Sequence, residues 1–374
     1  MKVIAQTAAL QEALTLASSI VAQRTPKPVL QCVKLLASGK TLTLLATDLE
    51  AGCRCVVTQV EVKAEGEALV PVQKFADIVR ESGGEESLTL TVEKEACHIT
   101  GAGARFRLLG YDPAEYPEVA DFTDDGDFQV PAAVLAELTE RTLFAAARAH
   151  SHYAISGVLW EATGRKLQLV ATDGHRLALA KASLPKAAGR EVAAIVPAKL
   201  MALLGRSGVA ADDEMLAVKV TESQILVRSA RAVLLSNLVQ GNFPKYSDVI
   251  PKEAAYKAKL ETQLFTHRIR QAALLTSEDS RSVRLAFGPE VLTITSRSAE
   301  AGEAELTMPV EFRAAQAGGG GEPFEIAFNP AFLIDALKVA EAEEVSFEFS
   351  APNKPAVLKA GSEFLYVVMP VDLG

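Results

Sequence analysis

The sequence lacks the features that mark secreted and membrane-spanning proteins. Its N-terminal segment has no signal-peptide profile, and no apolar stretch is long enough to cross a bilayer. We therefore expect a soluble, cytoplasmic protein. Only four of the 374 residues are cysteine, all in the first third of the chain. Such sparse cysteines predict reduced, mostly buried thiols rather than a disulfide framework.

Motifs of enzymes and metal sites are equally scarce. Cys53 and Cys55 would point to one face of a strand, but no further pair of ligands accompanies them, so we expect no metal. The most polar compact motif is TDGHR at residues 172–176. His175 has no recognisable nucleophile elbow nearby, and Asp173 has no paired carboxylate. We interpret the motif as a strand-to-loop corner and expect neither a catalytic residue nor a cofactor.

The net charge of the chain does not by itself exclude any class of binding partner. The formal net charge is −9, which taken alone argues against a nucleic-acid binder. That value describes the whole surface and not any one face. Whether the basic residues cluster is therefore the informative question.

What the sequence does contain is an internal repeat of about 125 residues. Thr47, Thr172 and Ser296 align within the similar stretches LTLLATDL, LQLVATDG and LTITSRSA. An aromatic or apolar residue also precedes proline near the end of each copy, at Tyr116-Pro117, Phe243-Pro244 and Met369-Pro370. The length of the chain accommodates three such copies.

A finer pattern lies inside each copy. Proline is well suited to the first position of a helix, and four apparent strand ends lead into helical patterns at Pro71, Pro131, Pro197 and Pro330. Two further helices are predicted over residues 7–23 and 262–275. Alternating apolar residues predict strands between the helices, for example at residues 88–92, 166–170, 225–228 and 344–349. The pattern indicates an α+β chain of three domains, each with two helices packed on sheets, at residues 1–123, 127–252 and 253–374.

Several of the helices carry basic residues on the face opposite their apolar stripe. We expect these side chains, together with basic residues just after the first helix, to meet DNA phosphates. On any single helix an ordinary solvated face is the simpler interpretation, but the arrangement recurs across the repeat. The candidate DNA-contacting residues are Arg24, Lys74, Arg80, Arg141, Arg148, Lys199 and Arg206.

The sequence resembles the bacterial β sliding clamps, the processivity subunits of DNA polymerase III, along its full length. The segments that carry the resemblance are TDLE at residues 47–50, ATDGHRLAL at 171–179, LVQGNFPKYSDVIP at 238–251 and YVVMPVDL at 366–373. The second segment and the terminal VMP are specific signatures. The resemblance implies three tandem clamp domains with antiparallel sheets outside and helices inside a head-to-tail homodimer ring.

The resemblance also implies what such a ring does. It would enclose duplex DNA without reading its sequence, be opened by a clamp loader through the delta subunit, and hold the DNA polymerase III alpha subunit. Other replication and repair proteins would bind through short, extended peptides carrying glutamine and apolar residues. No catalysis, cofactor or membrane is implied.

Carried over position by position, the peptide pocket lies between the second and third domains. His175, Arg176 and Asn329 would hydrogen-bond the peptide, and apolar side chains would anchor it. Asp248 and Ser280 depart from the family's pattern and leave the peptide preference open. The predicted pocket residues are Ile155, Thr172, Gly174, His175, Arg176, Leu177, Pro244, Val249, Asn329, Phe332, Val367, Val368, Met369, Pro370, Val371 and Leu373.

Two other functions remain open at this stage. A repeat-built enzyme would use the corner at residues 172–176 as its active site. A scaffold that binds only proteins would never meet DNA.

Overall fold

The computed structural model describes residues 1–22, 24–147, 153–205, 210–211, 213–276, 282–314 and 324–372. Six α-helices and 26 strands lie within these ranges. None of the helices in the described ranges is long and apolar enough to cross a membrane.

The first third of the chain contains nine strands and two helices. In chain order they are β1 (Lys2–Gln6), α1 (Thr7–Ile20), β2 (Cys32–Ser38), β3 (Thr41–Thr47), β4 (Ala51–Val57), β5 (Val60–Ala64), β6 (Gly66–Pro71), α2 (Val72–Glu81), β7 (Ser87–Glu93), β8 (Ala96–Thr100) and β9 (Arg105–Leu109).

The middle third repeats this order with one strand fewer. Its elements are β10 (Phe128–Pro131), α3 (Ala132–Leu143), β11 (Gly157–Thr163), β12 (Lys166–Thr172), β13 (Arg176–Ser183), β14 (Val192–Pro197), α4 (Ala198–Leu204), β15 (Met215–Val220), β16 (Gln224–Arg228) and β17 (Ala232–Asn237).

The last third follows the same plan. Its elements are β18 (Tyr256–Glu261), α5 (Thr262–Ala273), β19 (Val283–Phe287), β20 (Val291–Ser298), β21 (Gly302–Pro309), β22 (Glu311–Ala314), β23 (Phe324–Phe328), α6 (Pro330–Lys338), β24 (Glu344–Phe349), β25 (Ala356–Ala360) and β26 (Phe364–Val368).

The predicted helices and strands are confirmed, with small differences at their ends. The first and fifth helices end at Ile20 and Ala273, before the predicted residues. Pro330 opens α6 as predicted, but Pro71, Pro131 and Pro197 each end a strand one residue before the helix. Those three strands lie at sheet edges, where a proline removes no required backbone hydrogen bond.

The chain divides into two compact units. The first consists of Met1–Ala136, Leu184–Val192 and Lys199–Leu238, and the second of Glu137–Ser183, Ala193–Ala198 and Val239–Gly374. The first contains a five-stranded sheet, ordered β5-β1-β7-β8-β9, and an eight-stranded sheet, ordered β10-β15-β16-β17-β4-β3-β2-β6. The second contains a nine-stranded sheet, ordered β14-β11-β12-β13-β26-β25-β24-β18-β22, and a four-stranded sheet, ordered β21-β20-β19-β23.

Each large sheet joins strands of two successive repeats. In the first unit β4 of the first repeat pairs antiparallel with β17 of the second. In the second unit β13 pairs antiparallel with β26 of the third repeat. Two repeats therefore share one continuous hydrogen-bonded sheet within each unit, which is why the units do not coincide with the three repeats.

The four cysteines are free and buried, as the sequence predicts. Burial raises the pKa of the Cys32 thiol to about 11 and that of Cys97 to about 12, so these thiols stay protonated. Cys53 and Cys55 lie on one face of β4 with their sulfur atoms 3.9 Å apart. The described residues include no group of three or more His, Cys, Asp or Glu side chains placed to hold a metal ion.

Candidate peptide-binding site

A cavity of about 190 Å³ opens beside the corner between β12 and β13 in the second unit. We call it the corner groove. Its other walls come from the segment around a 3₁₀ helix at Tyr246–Asp248 and from the end of β26. The residues that line it are Ile155, Thr172, Gly174, His175, Arg176, Leu177, Pro244, Lys245, Tyr246, Val249, Val367 and Met369. All but Lys245 and Tyr246 are predicted from the sequence.

The corner is held by short-range hydrogen bonds. The Asp173 carboxylate oxygen Oδ1 accepts from the backbone N–H groups of His175 and Arg176, both at 3.0 Å. The Thr172 hydroxyl donates to the Arg176 carbonyl at 2.7 Å and accepts from the Gly174 N–H at 3.2 Å. Gly174 has a φ of +88°, which glycine adopts without the steric cost that a Cβ would add. The corner is therefore rigid and points His175 outward.

Arg176 has each of its three nitrogens bonded inside the protein. Nε donates to Asp173 at 3.0 Å, Nη1 to Asp335 at 2.7 Å and Nη2 to the Phe144 carbonyl at 2.8 Å. The guanidinium also lies over the Phe332 ring, 4.5 Å from its centroid. Burial alone would lower the pKa of Arg176, but the hydrogen bond to Asp335, the interactions with Tyr366 and the charge of Asp173 together outweigh it, so the pKa lies above its ordinary value. Arg176 thus fixes the groove wall.

The last strand forms the opposite wall and explains which terminal residues face the groove. The Met369 N–H donates to the His175 carbonyl at 2.9 Å, so the chain beyond β26 stays beside the corner. Val367 lines the groove, whereas Val368 is fully buried on the other face of the strand because side chains alternate. Met369 is 41% exposed and is available to a ligand.

Apolar residues close the floor of the groove. Leu177 and Val367 belong to a buried cluster of Leu159, Val170, Leu177, Leu179, Ile195, Val357 and Val367. Tyr246 packs against this cluster from the rim. A peptide that placed an apolar side chain here would remove it from water against a preformed surface.

Tyr246 and Lys245 are groove residues that the sequence analysis missed. The Tyr246 hydroxyl donates to Glu161 at 2.6 Å and accepts from Gln168 Nε2 at 2.5 Å, which fixes the ring. Burial, followed by this bond to Glu161, raises the pKa of Tyr246 to about 12. Both residues lie in the segment at 238–251 that carries the family resemblance. Their place in that segment, beside Pro244, could have indicated that they line the groove.

Some predicted pocket residues do not line the groove. Asn329 caps α6 by accepting from the Ala331 N–H at 3.0 Å. Phe332 contacts the Arg176 guanidinium, and its ring centroid lies 6.4 Å from that of the His175 ring. Val371 donates its N–H to the Ala327 carbonyl at 2.8 Å. Val368, Pro370 and Val371 are absent from the groove lining, and Leu373 and Ser280 lie outside the described residues.

The groove does not present the constellation of an active site. Asp173 is engaged by backbone N–H groups and by Arg176. The His175 side chain has no hydrogen-bond partner within the described ranges. The hydroxyls that line the groove are those of Thr172 and Tyr246, and that of Tyr246 is bonded to Glu161 and Gln168 rather than to His175. The remaining hydroxyl is that of Thr172. That hydroxyl is already bonded to two backbone groups. The geometry suits binding of an extended chain better than proton transfer.

The basic helix residues fall into two groups. Arg24, Lys74 and Arg80 are exposed, although Arg80 pairs with Asp77 at 2.7 Å. Such pairs are weak at a surface, so these three cations are available to an anionic partner. Arg148 and Arg206 lie outside the described residues.

Arg141 and Lys199 form the second group because acidic residues already neutralise them. The Arg141 side chain is only 11% exposed and contacts Glu137 at 2.5 Å and Glu341 at 3.3 Å. Lys199 pairs with Asp48 and donates to the Ile20 carbonyl at 3.1 Å. A phosphate would have to displace these partners.

Taken together, the fold and the groove define a repeat-built scaffold with a preformed apolar groove. Family models of the DNA polymerase III beta subunit match the chain over residues 1–120 (N-terminal domain), 129–245 (central domain) and 247–372 (C-terminal domain). The chain belongs to this family, the β sliding clamps, which are non-catalytic processivity factors.

Individual relatives agree with the family match. The chain is 32% identical to the beta sliding clamp of Chlamydia pneumoniae over 357 residues, which is 95% of this chain and 94% of the relative. It is similar to the crystal structure of the DNA polymerase III subunit beta from Pseudomonas aeruginosa, with a TM-score of 0.92 and 30% identity over 100% of both chains. A Pseudomonas aeruginosa sliding clamp bound to griselimycin matches with the same values.

Proposed function

We propose that two copies of this chain pair head to tail and close a ring around duplex DNA, where they tether DNA polymerase III. The observation that carries this function is that the repeat leaves one shared sheet unfinished. The first and second repeats share an eight-stranded sheet, and the second and third share a nine-stranded sheet. Among the described residues, β21 of the third repeat is not joined to a strand of another repeat.

The five-stranded and the four-stranded sheet correspond to the two halves of a third large sheet, which is not formed within one copy of the chain. β21 is the third-repeat counterpart of β4 and β13, each of which pairs with a strand of the next repeat. β9 is the first-repeat counterpart of β17 and β26, which supply that strand. Within the described part of the chain, β21 pairs only with β20 and β9 only with β8. A second copy completes both sheets if its β9 pairs with β21 of the first.

The charges on these edges are complementary. Arg105 and Arg107 are exposed on β9, and Glu303 and Glu305 are exposed on β21. None of the four has an ion-pair partner within the described ranges. Antiparallel pairing would bring the two sets together, and Leu109, which is 62% exposed, would be covered nearby. In a pair of copies, two such junctions use every free edge of this kind, so a closed dimer leaves no such edge for further growth.

The exposed basic side chains of the helices support non-specific contact with DNA. Lys74, Arg80 and Arg24 are the described candidates that remain accessible. Phosphate contacts of this kind carry no sequence information and weaken steeply with salt. They allow the ring to slide, and the net charge of −9 is a sum over the whole chain that does not exclude local contacts of basic side chains with phosphates.

The corner groove supports the tethering role. Its apolar floor and the exposed Met369 suit the apolar residues of an extended peptide, and His175 and Lys245 lie at the rim. We assign the docking peptides of the polymerase alpha subunit, the clamp-loader delta subunit and other replication proteins to it. The three domains extend over residues 1–123, 127–252 and 253–374, and the place of action is the cytoplasm.

A topological experiment tests the ring. The purified protein is loaded by a clamp loader and ATP onto nicked circular DNA, and the DNA is then cut once. Protein should remain on the circle through gel filtration, leave after linearisation, and stay if both ends are blocked by bound protein. Equal retention on circular and open linear DNA would contradict the ring and favour a scaffold without DNA.

A further inference from the structure

The corner that forms the peptide groove is built a second time, in the first unit. The Thr47 hydroxyl donates to the Ala51 carbonyl at 2.8 Å and accepts from the Leu49 N–H at 3.0 Å. Asp48 Oδ1 accepts from the N–H groups of Glu50 at 3.0 Å and Ala51 at 2.7 Å. These are the bonds that Thr172 and Asp173 make, shifted by one repeat.

The strand that crosses this corner is equivalent too. The Asn237 N–H donates to the Glu50 carbonyl at 2.8 Å, as the Met369 N–H does to the His175 carbonyl. Ala51 pairs with Ser236 in the same register in which Arg176 pairs with Val368. Asn237 therefore occupies the position of Met369, and Leu235 that of Val367.

The backbone of Leu49 is strained, whereas that of its counterpart Gly174 is not. Its φ is +79°, close to the +88° of Gly174, but a side chain at this angle costs energy that glycine avoids. The Leu49 side chain is 51% exposed, so burial in the core does not offset that cost. An apolar side chain held in a strained conformation at the mouth of a groove is typical of a contact surface.

A cavity of about 390 Å³ opens at this second corner. We call it the first-repeat groove. Leu49, Val119 and Leu235 supply its apolar lining, and the amides of Gln224 and Asn237 supply polar groups. Asn237 Nδ2 donates to the Leu49 carbonyl at 3.1 Å, and Gln224 Nε2 donates to Asn237 Oδ1 at 3.0 Å, which leaves the Gln224 carbonyl oxygen as an acceptor.

The charges of the two grooves are opposite. Glu50 stands where the corner groove has His175, and Glu118 stands where it has Lys245. Both carboxylates are exposed and have no ion-pair partner within the described ranges. Two cations that contact residues of this corner are already paired, Arg54 with Asp121 at 3.1 Å and Lys199 with Asp48.

We propose that the first-repeat groove binds a short, extended peptide segment in which a lysine or arginine lies between two apolar residues. The apolar residues contact Leu49 and Leu235, and the cation reaches Glu50 and Glu118. The carboxylates select this class because an acidic segment would meet two unpaired like charges. Each subunit then offers two docking sites of opposite charge preference, and a partner that carries both kinds of segment gains affinity through linkage.

Methyl NMR spectra of the intact protein, labelled at leucine and methionine methyl groups, test the proposal. The probes are two blocked pentapeptides, GLKLG and GLELG. GLKLG should shift the methyl signals of Leu49 and Leu235 saturably, and GLELG should not. The double variant Glu50→Gln/Glu118→Gln should bind GLKLG at least about threefold more weakly, which is the scale of two exposed ion pairs. The matched control Glu93→Gln/Glu95→Gln removes two exposed carboxylates elsewhere in the first unit and should bind like the parent.

The reversed variant Glu50→His/Glu118→Lys should prefer GLELG. The proposal is overturned if GLKLG leaves Leu49 and Leu235 unshifted, if both peptides bind the parent equally, or if the double variant binds unchanged. The peptide comparison on the parent protein needs no variant and holds even if one fails to fold. In the same spectra, Leu177 and Met369 report on the corner groove, so failure of one site is separable from failure of the other.

Discussion

The Arg176 guanidinium lies 2.7 Å from the Asp335 carboxylate, although the two residues are 159 positions apart in the chain. Arg176 belongs to the corner that opens the groove, and Asp335 belongs to α6. Their ion pair fixes the corner to the helix that carries Phe332. The shape of the groove in the second unit therefore depends on a residue that no peptide would touch.

Replacing Asp335 should destabilise the wall of the corner groove without removing a residue that lines it. The Arg176 side chain is only 11% exposed, and Asp335→Ala removes one of the hydrogen-bond acceptors of its guanidinium. We expect a loss of about 1–3 kcal/mol in the free energy of unfolding, which is the usual cost of an unsatisfied buried group. Urea unfolding measures this loss, and fluorescence anisotropy with a labelled glutamine-containing peptide should show weaker binding. Asp335→Asn keeps an acceptor and should lose less in both assays; equal losses would argue against the hydrogen bond as the cause.

Met369 should contribute directly to peptide affinity. Met369→Ala removes an exposed apolar contact at the groove and should weaken peptide binding about tenfold, because a few apolar anchors carry most of such affinity. The chain offers a matched control in Met215, which is 40% exposed compared with 41% for Met369 but lies in the first unit. Met215→Ala should bind peptide normally, and both variants should remain dimers in sedimentation velocity. A monomeric Met369→Ala protein would contradict the separation of docking from assembly.

The charges on the open edges give a reciprocal test of the dimer. Arg105→Glu/Arg107→Glu places acids opposite Glu303 and Glu305, and Glu303→Arg/Glu305→Arg places bases opposite the two arginines. Each variant alone should dimerise at least about a hundredfold more weakly because like charges then face each other. An equimolar mixture should recover dimers, since both junctions of the mixed pair regain opposite charges.

Analytical ultracentrifugation of each variant and of the mixture measures this outcome. Lys40→Glu/Lys94→Glu reverses two exposed charges in turns of the first unit and should leave the dimer intact. If the mixture stays monomeric while the single variants are folded, the pairing of β9 with β21 is wrong.

Acid should weaken the first unit through Asp127. Its carboxylate accepts from Arg190 Nε at 2.6 Å and from the Val220 N–H at 2.7 Å. Burial alone would raise the pKa of Asp127, but the hydrogen bonds from Arg190 and the Val220 N–H, together with the charge of Arg190, outweigh it and hold the pKa below its ordinary value of 3.8. A lowered pKa in the folded state stabilises the protein above the ordinary pKa, and this stabilisation is lost as the pH falls through the folded value.

Asp127→Asn should therefore cost about 1 kcal/mol near neutral pH and much less at a pH below the lowered folded-state pKa, where the parent has also lost the charge. Thermal unfolding at both pH values measures the difference. Asp125→Asn alters an exposed neighbour in the same link and serves as the control. A difference between Asp127→Asn and the parent that stays constant with pH would exclude titration of Asp127 as the cause.

The sequence predicts local structure well here because local rules set it. Proline before an apolar stripe predicts four helices, and the alternation around residues 344–349 predicts β24 at its observed bounds. The corner at residues 172–176 is predictable for the same reason, since its hydrogen bonds span at most four residues. The groove residues come from the family resemblance, because no local pattern connects residue 172 with residue 369.

Pairing between distant side chains is what the sequence could not supply. A basic residue on a helix face predicts a cation but not whether an acid from another segment will reach it. Arg141 meets Glu341 across 200 positions, and Lys199 meets Asp48 across 151. Tyr246 is similar, because Glu161 lies 85 positions away. Such partners are set by the packing of the sheets.

The charges on β9 and β21 also give assembly a direction. Pairing of two copies of β9 would place arginines against arginines, and pairing of two copies of β21 would place glutamates against glutamates. Charge repulsion therefore disfavours pairing of either edge strand with a second copy of itself. A newly made subunit thus carries two exposed edges that are protected from aggregation by the same residues that later recognise the partner.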